Sequence, residues 1–131
     1  MPDQSLKGVR PHVNDSSSTR GAAKIAAACS LTRPSPAGCR WCGAALPKGR
    51  RAWCSGRCST RFWNNHWWKR ARVAARRRDK RRCVACGATG ALEVHHKVPC
   101  RGRHAMPGCD HHLENLETLC PPCHRARQPN R

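Results

Sequence analysis

Eight of the chain's eleven cysteines fall into four close pairs: Cys39 and Cys42, Cys54 and Cys58, Cys83 and Cys86, and Cys120 and Cys123. Taken in order they make two complete four-cysteine sets, each able to fill the tetrahedral shell of a zinc ion, which is redox-inert and prefers thiolate sulfur. His124 follows Cys123 directly. Since Cys83, Cys86, Cys120 and Cys123 already satisfy one tetrahedral ion, His124 is not needed there and is free to serve a second metal. Cys29, Cys100 and Cys109 stay outside both sets and are expected to be spare thiols. Cys100 and Cys109 could at most pair across one loop.

The elements that must hold these ligands can be read from the same stretches. "CRWCGA" and "CVACGA" echo each other, and the glycine after each pair suits a tight turn that aims backbone N–H groups at bound sulfur. Each second pair sits where a helix should begin. Ser55 is an N-cap ahead of a helix carrying Cys58 and running to about Arg78, and Pro121 suits the first helical position after Cys120. A turn and a helix N-terminus closing on one ion is a treble-clef-like arrangement. Between the pairs of the second set, "ALEVHHKVP" reads as a strand ended by Pro99 and presenting His95 and His96. A Gly/Pro-bearing loop follows, then "LENLETLC" as a second short strand or turn. The fold class expected is a small, metal-stabilised α+β fold.

Composition supports metal over apolar burial. Beyond Cys83 the larger apolar side chains are few, Val84, Leu92, Val94, Val98, Met106, Leu113, Leu116 and Leu119 among them, and folds this small usually need a disulfide or metal staple. No stretch reads as a secretory signal or a membrane span, so a reducing cytoplasm and thiolate ligands are expected rather than disulfides. The balance of 26 Lys plus Arg against 7 Asp plus Glu gives a formal charge of +19, which points to a polyanionic partner and away from a membrane-embedded protein. Residues 1–38 are Ser-, Pro-, Gly- and Ala-rich and are expected to form a disordered basic arm. Residues 39–58 form the first zinc module and 59–82 a basic linking helix. Phe62, Trp63, His66 and Trp67 give that helix an aromatic cluster at helical spacing. Arg70, Arg72, Arg76, Arg77, Arg78, Lys80, Arg81 and Arg82 make it the expected phosphate-contacting element.

The order of elements in "CVAC…LEVHHKVP…LENLETLCPPCHRAR" resembles the zinc-stabilised HNH endonucleases, with residues 83–128 as the nuclease domain. The upstream "CRWCG…WCSGRC" looks like a zinc module found ahead of some HNH domains. The resemblance implies a ββα-metal fold and hydrolysis of DNA phosphodiester bonds, the DNA expected to be double-stranded. It assigns His95 and His124 to one catalytic divalent ion, His96 to the general base and Asn115 to bracing the loop. It also implies two structural zinc ions, a phage or mobile-element context and so a host-cell cytoplasm. A His-His dyad widens the candidate catalytic metals to Mg, Mn, Ni, Co or Zn.

Two expectations are left open by the residues themselves. Adjacent residues on a regular strand face opposite ways, so His95 and His96 can share one site only if the strand is distorted there. The rival to a nuclease is a non-catalytic, zinc-stabilised module that binds DNA or RNA. His104, His111 and His112 are expected at the surface, and Asp110 as a loop brace or outer-shell partner.

Overall fold

The computed structural model describes residues 16–127, and the chain divides into two compact units, Met1–Cys58 and Ser59–Arg131. Among the described residues the first unit begins with α1, Ser16–Ala28. This corrects part of the expected unstructured arm. Alanines with high helix propensity fill the segment, and Ala22 and Ala26, one turn apart, are both buried. The Thr32 hydroxyl donates to the Ala26 carbonyl near the helix end. Residues 1–15 of the expected arm lie outside the described residues.

After α1 the first unit is a knuckle held by backbone bonds. Gly43 N–H donates to Cys39 O at 2.8 Å and Cys39 N–H to Ala44 O at 2.8 Å. Gly43 has φ +80°, and a Cβ there would lie 2.3 Å from the Arg33 carbonyl oxygen, so only glycine fits. α2, Gly56–His66, starts as expected after Ser55, whose Oγ accepts from Cys58 N–H at 3.4 Å.

The helix expected to run unbroken to Arg78 is interrupted at Trp67, which has extended backbone (φ −114°, ψ 116°), and resumes as α3, Trp68–Arg78. In the second unit α3 is a packed element rather than a free linker. Ala71 and Ala75 are fully buried against Leu116, with Trp68, Val94 and Leu113 around them. Small residues one turn apart let the helix approach the sheet closely. That sheet is β1, Glu93–His96, antiparallel to β2, Leu116–Leu119, in regular register from Glu93↔Leu119 to His96↔Leu116. Its other face meets the second knuckle and α4, Pro121–Arg127, through Cys83, Leu119 and Cys120, with Leu92 and Cys123 beside them.

A polar clamp fixes the end of α3 to β2. Arg78 donates to Leu113 O at 2.6 Å and Leu116 O at 2.7 Å, and its Nε lies 2.9 Å from Asp79 Oδ1. Asp79 Oδ2 in turn accepts from Thr118 N–H at 3.1 Å. Burial pushes the Asp79 carboxyl up, but Arg78 and Thr118 outweigh it and hold its pKa below the usual carboxylate range. A lowered native pKa adds stability that is present above about pH 4 and is lost as pH falls through the native value. Asp79→Asn should therefore cost about 1–3 kcal/mol, seen as a lower thermal midpoint at pH 7, and the loss should shrink as pH drops below about 4.

Candidate functional site

Each four-cysteine set is gathered in space. The Sγ atoms of Cys39, Cys42, Cys54 and Cys58 lie within 4.8 Å of one another, as do those of Cys83, Cys86, Cys120 and Cys123. Measured separations are 3.6 Å for Cys42 to Cys54 and for Cys54 to Cys58, and 3.7 Å for Cys86 to Cys120. The second knuckle repeats the first: Gly87 N–H donates to Cys83 O at 2.8 Å and Cys83 N–H to Ala88 O at 2.9 Å, with Gly87 at φ +82°. Burial pushes the Cys83 thiol up, yet backbone N–H groups around the knuckle outweigh it and bring it down to about 6, and Cys39 behaves alike. Cys58 is pushed up to about 12, first by burial and then by its neighbouring sulfurs, and Cys123 likewise by Cys120 and Cys83. Cys58 and Cys123 are thus each raised by sulfurs of their own set, and a bound cation would stabilise thiolates gathered this closely.

The regular register of β1 splits the histidine dyad. His95 and His124 share the α4 face, their ring centroids 5.0 Å apart. Glu93, also on that face, accepts a hydrogen bond from His124 Nδ1, which fixes the tautomer and leaves the Nε2 lone pair for a metal. Glu117 lies opposite His95 across the ladder, 4.0 Å from its Nε2, and pairs with Arg127 at 3.2 Å. Burial first, and then the neighbouring His124, lowers the His95 pKa.

His96 faces the other way, toward α3. It is buried, stacked against Trp68 at 4.8 Å and His104 at 4.9 Å. His111 donates through Nε2 to Met106 O at 3.1 Å, so its Nδ1 accepts from His96 Nε2–H at 3.0 Å. Burial, followed by His111 and His104, pushes the His96 pKa down to about 4. In the structure His96 therefore lies on the opposite face of β1 from His95 and His124, because the undistorted ladder keeps the strand alternating through His96.

Asn115 clamps the loop between the strands. Its Oδ1 accepts from Val98 N–H at 2.9 Å, and its Nδ2 donates to Val98 O and Asp110 O at 3.1 and 2.9 Å. Asp110 Oδ2 takes Arg101 N–H at 3.1 Å. The loop histidines depart from expectation, because His111 and His112 are buried, 1% and 6% exposed. Cys100 groups with His96 and His111, whereas Cys109 groups with His66 and His112, so the two cysteines do not pair. Sequence reasoning missed Glu93, Glu117 and Trp68, and gave His66 and His111 other roles, one in the aromatic cluster and one at the surface. The carboxylates were legible by period 2, since Glu93 and His95 must share a face.

The basic helix is used in two ways. Arg77, Lys80, Arg81 and Arg82 are exposed at and beyond the end of α3. Arg78 is committed to the clamp, Arg70 is half-buried with its pKa lowered by desolvation, Arg72 and Arg76 are also half-buried, and Arg76 Nε is buried without a hydrogen-bond partner. Among the described residues no helix is long and apolar enough to cross a membrane.

Residues 83–129 match the family model for HNH endonucleases. That segment is a small α+β unit with a two-stranded sheet and Cys/His clusters that could hold metal, consistent with a zinc-stabilised HNH module. No curated protein and no solved structure matches the chain at a significant level. If cysteine coordination holds this domain, Cys120→Ser should lower the zinc content per chain and weaken the near-UV signal to which Trp68, packed against the domain's core, contributes, as chelation of the parent should.

Proposed function

We propose that the protein is a metal-dependent endonuclease acting on double-stranded DNA. The observation that carries this reading is the pairing of His95 and His124 across β1 and α4, with the Glu93 carboxylate setting the His124 tautomer, inside the segment that matches the HNH family. The donors suit one divalent ion, Mg, Mn, Ni, Co or Zn: two imidazoles leave coordination positions for water and phosphate oxygens. A bound ion supplies Lewis-acid stabilisation of the charge that develops on the phosphate oxygens and leaving group.

The chain's own residues do the rest. His95 and His124 hold the ion's place, and Glu93 holds His124. His96 is the proposed proton acceptor: its Nε2–H is committed to His111, so the lone pair is on Nδ1 of a neutral ring. Serving a phosphate on the α4 face requires the chain to turn at His96, where the ladder ends and the Asn115-clamped loop begins. Arg77, Lys80, Arg81 and Arg82 supply contacts to the DNA backbone without a sequence code. Two four-cysteine zinc ions keep the modules folded, and free thiols suit a reducing cytoplasm, that of the host if the gene is carried by a phage or mobile element.

A non-catalytic module that binds DNA or RNA is the second reading, favoured by the placement of His96 away from the His95–His124 pair. Plasmid cleavage with added divalent ion separates the two. His124→Ala should weaken metal affinity, so that excess metal restores part of the rate, whereas His96→Ala should lose ~10²- to 10⁴-fold that no metal restores. Cleavage absent from the parent across all five metals would establish the binding module instead. Replacing Arg77, Lys80, Arg81 and Arg82 by alanine should flatten the salt dependence of DNA affinity by about one log–log unit per lost phosphate contact. An unchanged slope would remove these residues from the interface.

A further inference from the structure

His66, Cys109 and His112 form a cluster that neither the four-cysteine sets nor the His95–His124 pair uses. We propose that these three side chains bind a further zinc ion, which ties the loop between β1 and β2 to the C-terminal end of α2. His66 Nε2 and His112 Nε2 lie 3.1 Å apart, and the Cys109 sulfur is within 4.8 Å of both. Two nitrogens on one tetrahedral ion, each about 2.0–2.1 Å from it, are separated by about 3.3 Å. The observed spacing is close to that edge.

The outer contacts are those of a metal-binding histidine. His66 Nδ1–H donates to the Phe62 carbonyl at 2.7 Å, which places the lone pair on Nε2, aimed at His112. A ligating imidazole commonly donates its second nitrogen to a backbone carbonyl in this way. Cys109 and His112 stand two residues apart, a separation shared by three of the four cysteine pairs and typical of zinc ligands. The segment bearing them is pinned on both flanks: Gly108 N–H donates to His66 O at 2.8 Å, and Leu113 N–H to Asn65 Oδ1 at 2.8 Å. The three ligands are therefore held in place by backbone bonds before any ion arrives. A donor set of two imidazoles and one thiolate selects zinc over magnesium or calcium, and leaves the fourth tetrahedral position for a water or another donor.

The cluster of His96, Cys100 and His111 is the weaker candidate, because its hydrogen bonds close without an ion. His96 donates to His111, His111 to Met106 O, and the Cys100 thiol to Gly102 O at 3.4 Å.

The test uses the full chain carrying His124→Ala, so that the proposed catalytic pair does not contribute zinc to the count. After dialysis against zinc-free buffer, elemental analysis should give three zinc ions per chain. Adding Cys109→Ser or His112→Gln should reduce this to two. X-ray absorption at the zinc edge should show imidazole nitrogen beside sulfur in the three-zinc protein, a readout that does not depend on either variant folding. Two zinc ions in purely sulfur surroundings before any further substitution would overturn the proposal. So would a count left unchanged by both substitutions, in which case His112 merely donates a hydrogen bond to His66.

Discussion

Two sets of four sulfurs, each gathered within 4.8 Å, impose the condition on which the rest of this molecule depends. The knuckles lower the Cys39 and Cys83 thiols through backbone N–H groups. Cys58 is pushed up by burial and then by its neighbouring sulfurs, and Cys123 by Cys120 and Cys83, so thiolates within one set are in conflict. A divalent cation bound there would remove that conflict. The core around the sheet reduces to two clusters, one of Ala71, Ala75 and Leu116, the other of Cys83, Leu119 and Cys120. Two of the three buried members of the second cluster are themselves thiol residues. Burial and any metal coordination therefore fall to the same residues on that side of the sheet.

The sheet then converts this scaffold into two chemically distinct faces. Its α4 side carries Glu93, His95 and Glu117 opposite His124 and Arg127, a partly exposed set of imidazoles and carboxylates. Its α3 side carries Val94, His96, Leu116 and Thr118, closed over by Trp68, Ala71 and Ala75. The Arg78–Asp79 clamp holds this second face shut. A two-residue period in a four-residue strand is enough to send neighbouring histidines into different environments, one beside a carboxylate and a helix, the other under an indole.

Much of this was legible from residue types and spacing. The knuckles, the Ser55 cap, the start of α4 at Pro121 and the two strands follow from local rules, because each depends on residues close in sequence. The break at Trp67 was not read, because the aromatic cluster at helical spacing suggested one continuous helix although Asn64, Asn65, His66, Trp67 and Trp68 are all weak helix formers. Helix α1 was hidden by a composition that suggested disorder, although its alanines favour helix once a few are buried. At the site, the alternation rule warned that His95 and His96 diverge, and the structure follows the rule. The roles of Arg78, His111 and His112 could not be read, because their partners lie across the fold: Arg78 reaches Leu113 and Leu116, His111 reaches His96, and His112 reaches His66.

The central claim is that the divalent ion used for chemistry is held on the α4 face by His95 and His124. Paramagnetic broadening of histidine ring signals in the zinc-loaded protein tests it without reference to turnover. Substoichiometric Mn2+ should broaden the His95 and His124 rings first and leave His96 and His111 sharp. Broadening that begins at His96 and His111, with His95 and His124 unaffected, would move the metal to the α3 face and contradict the account.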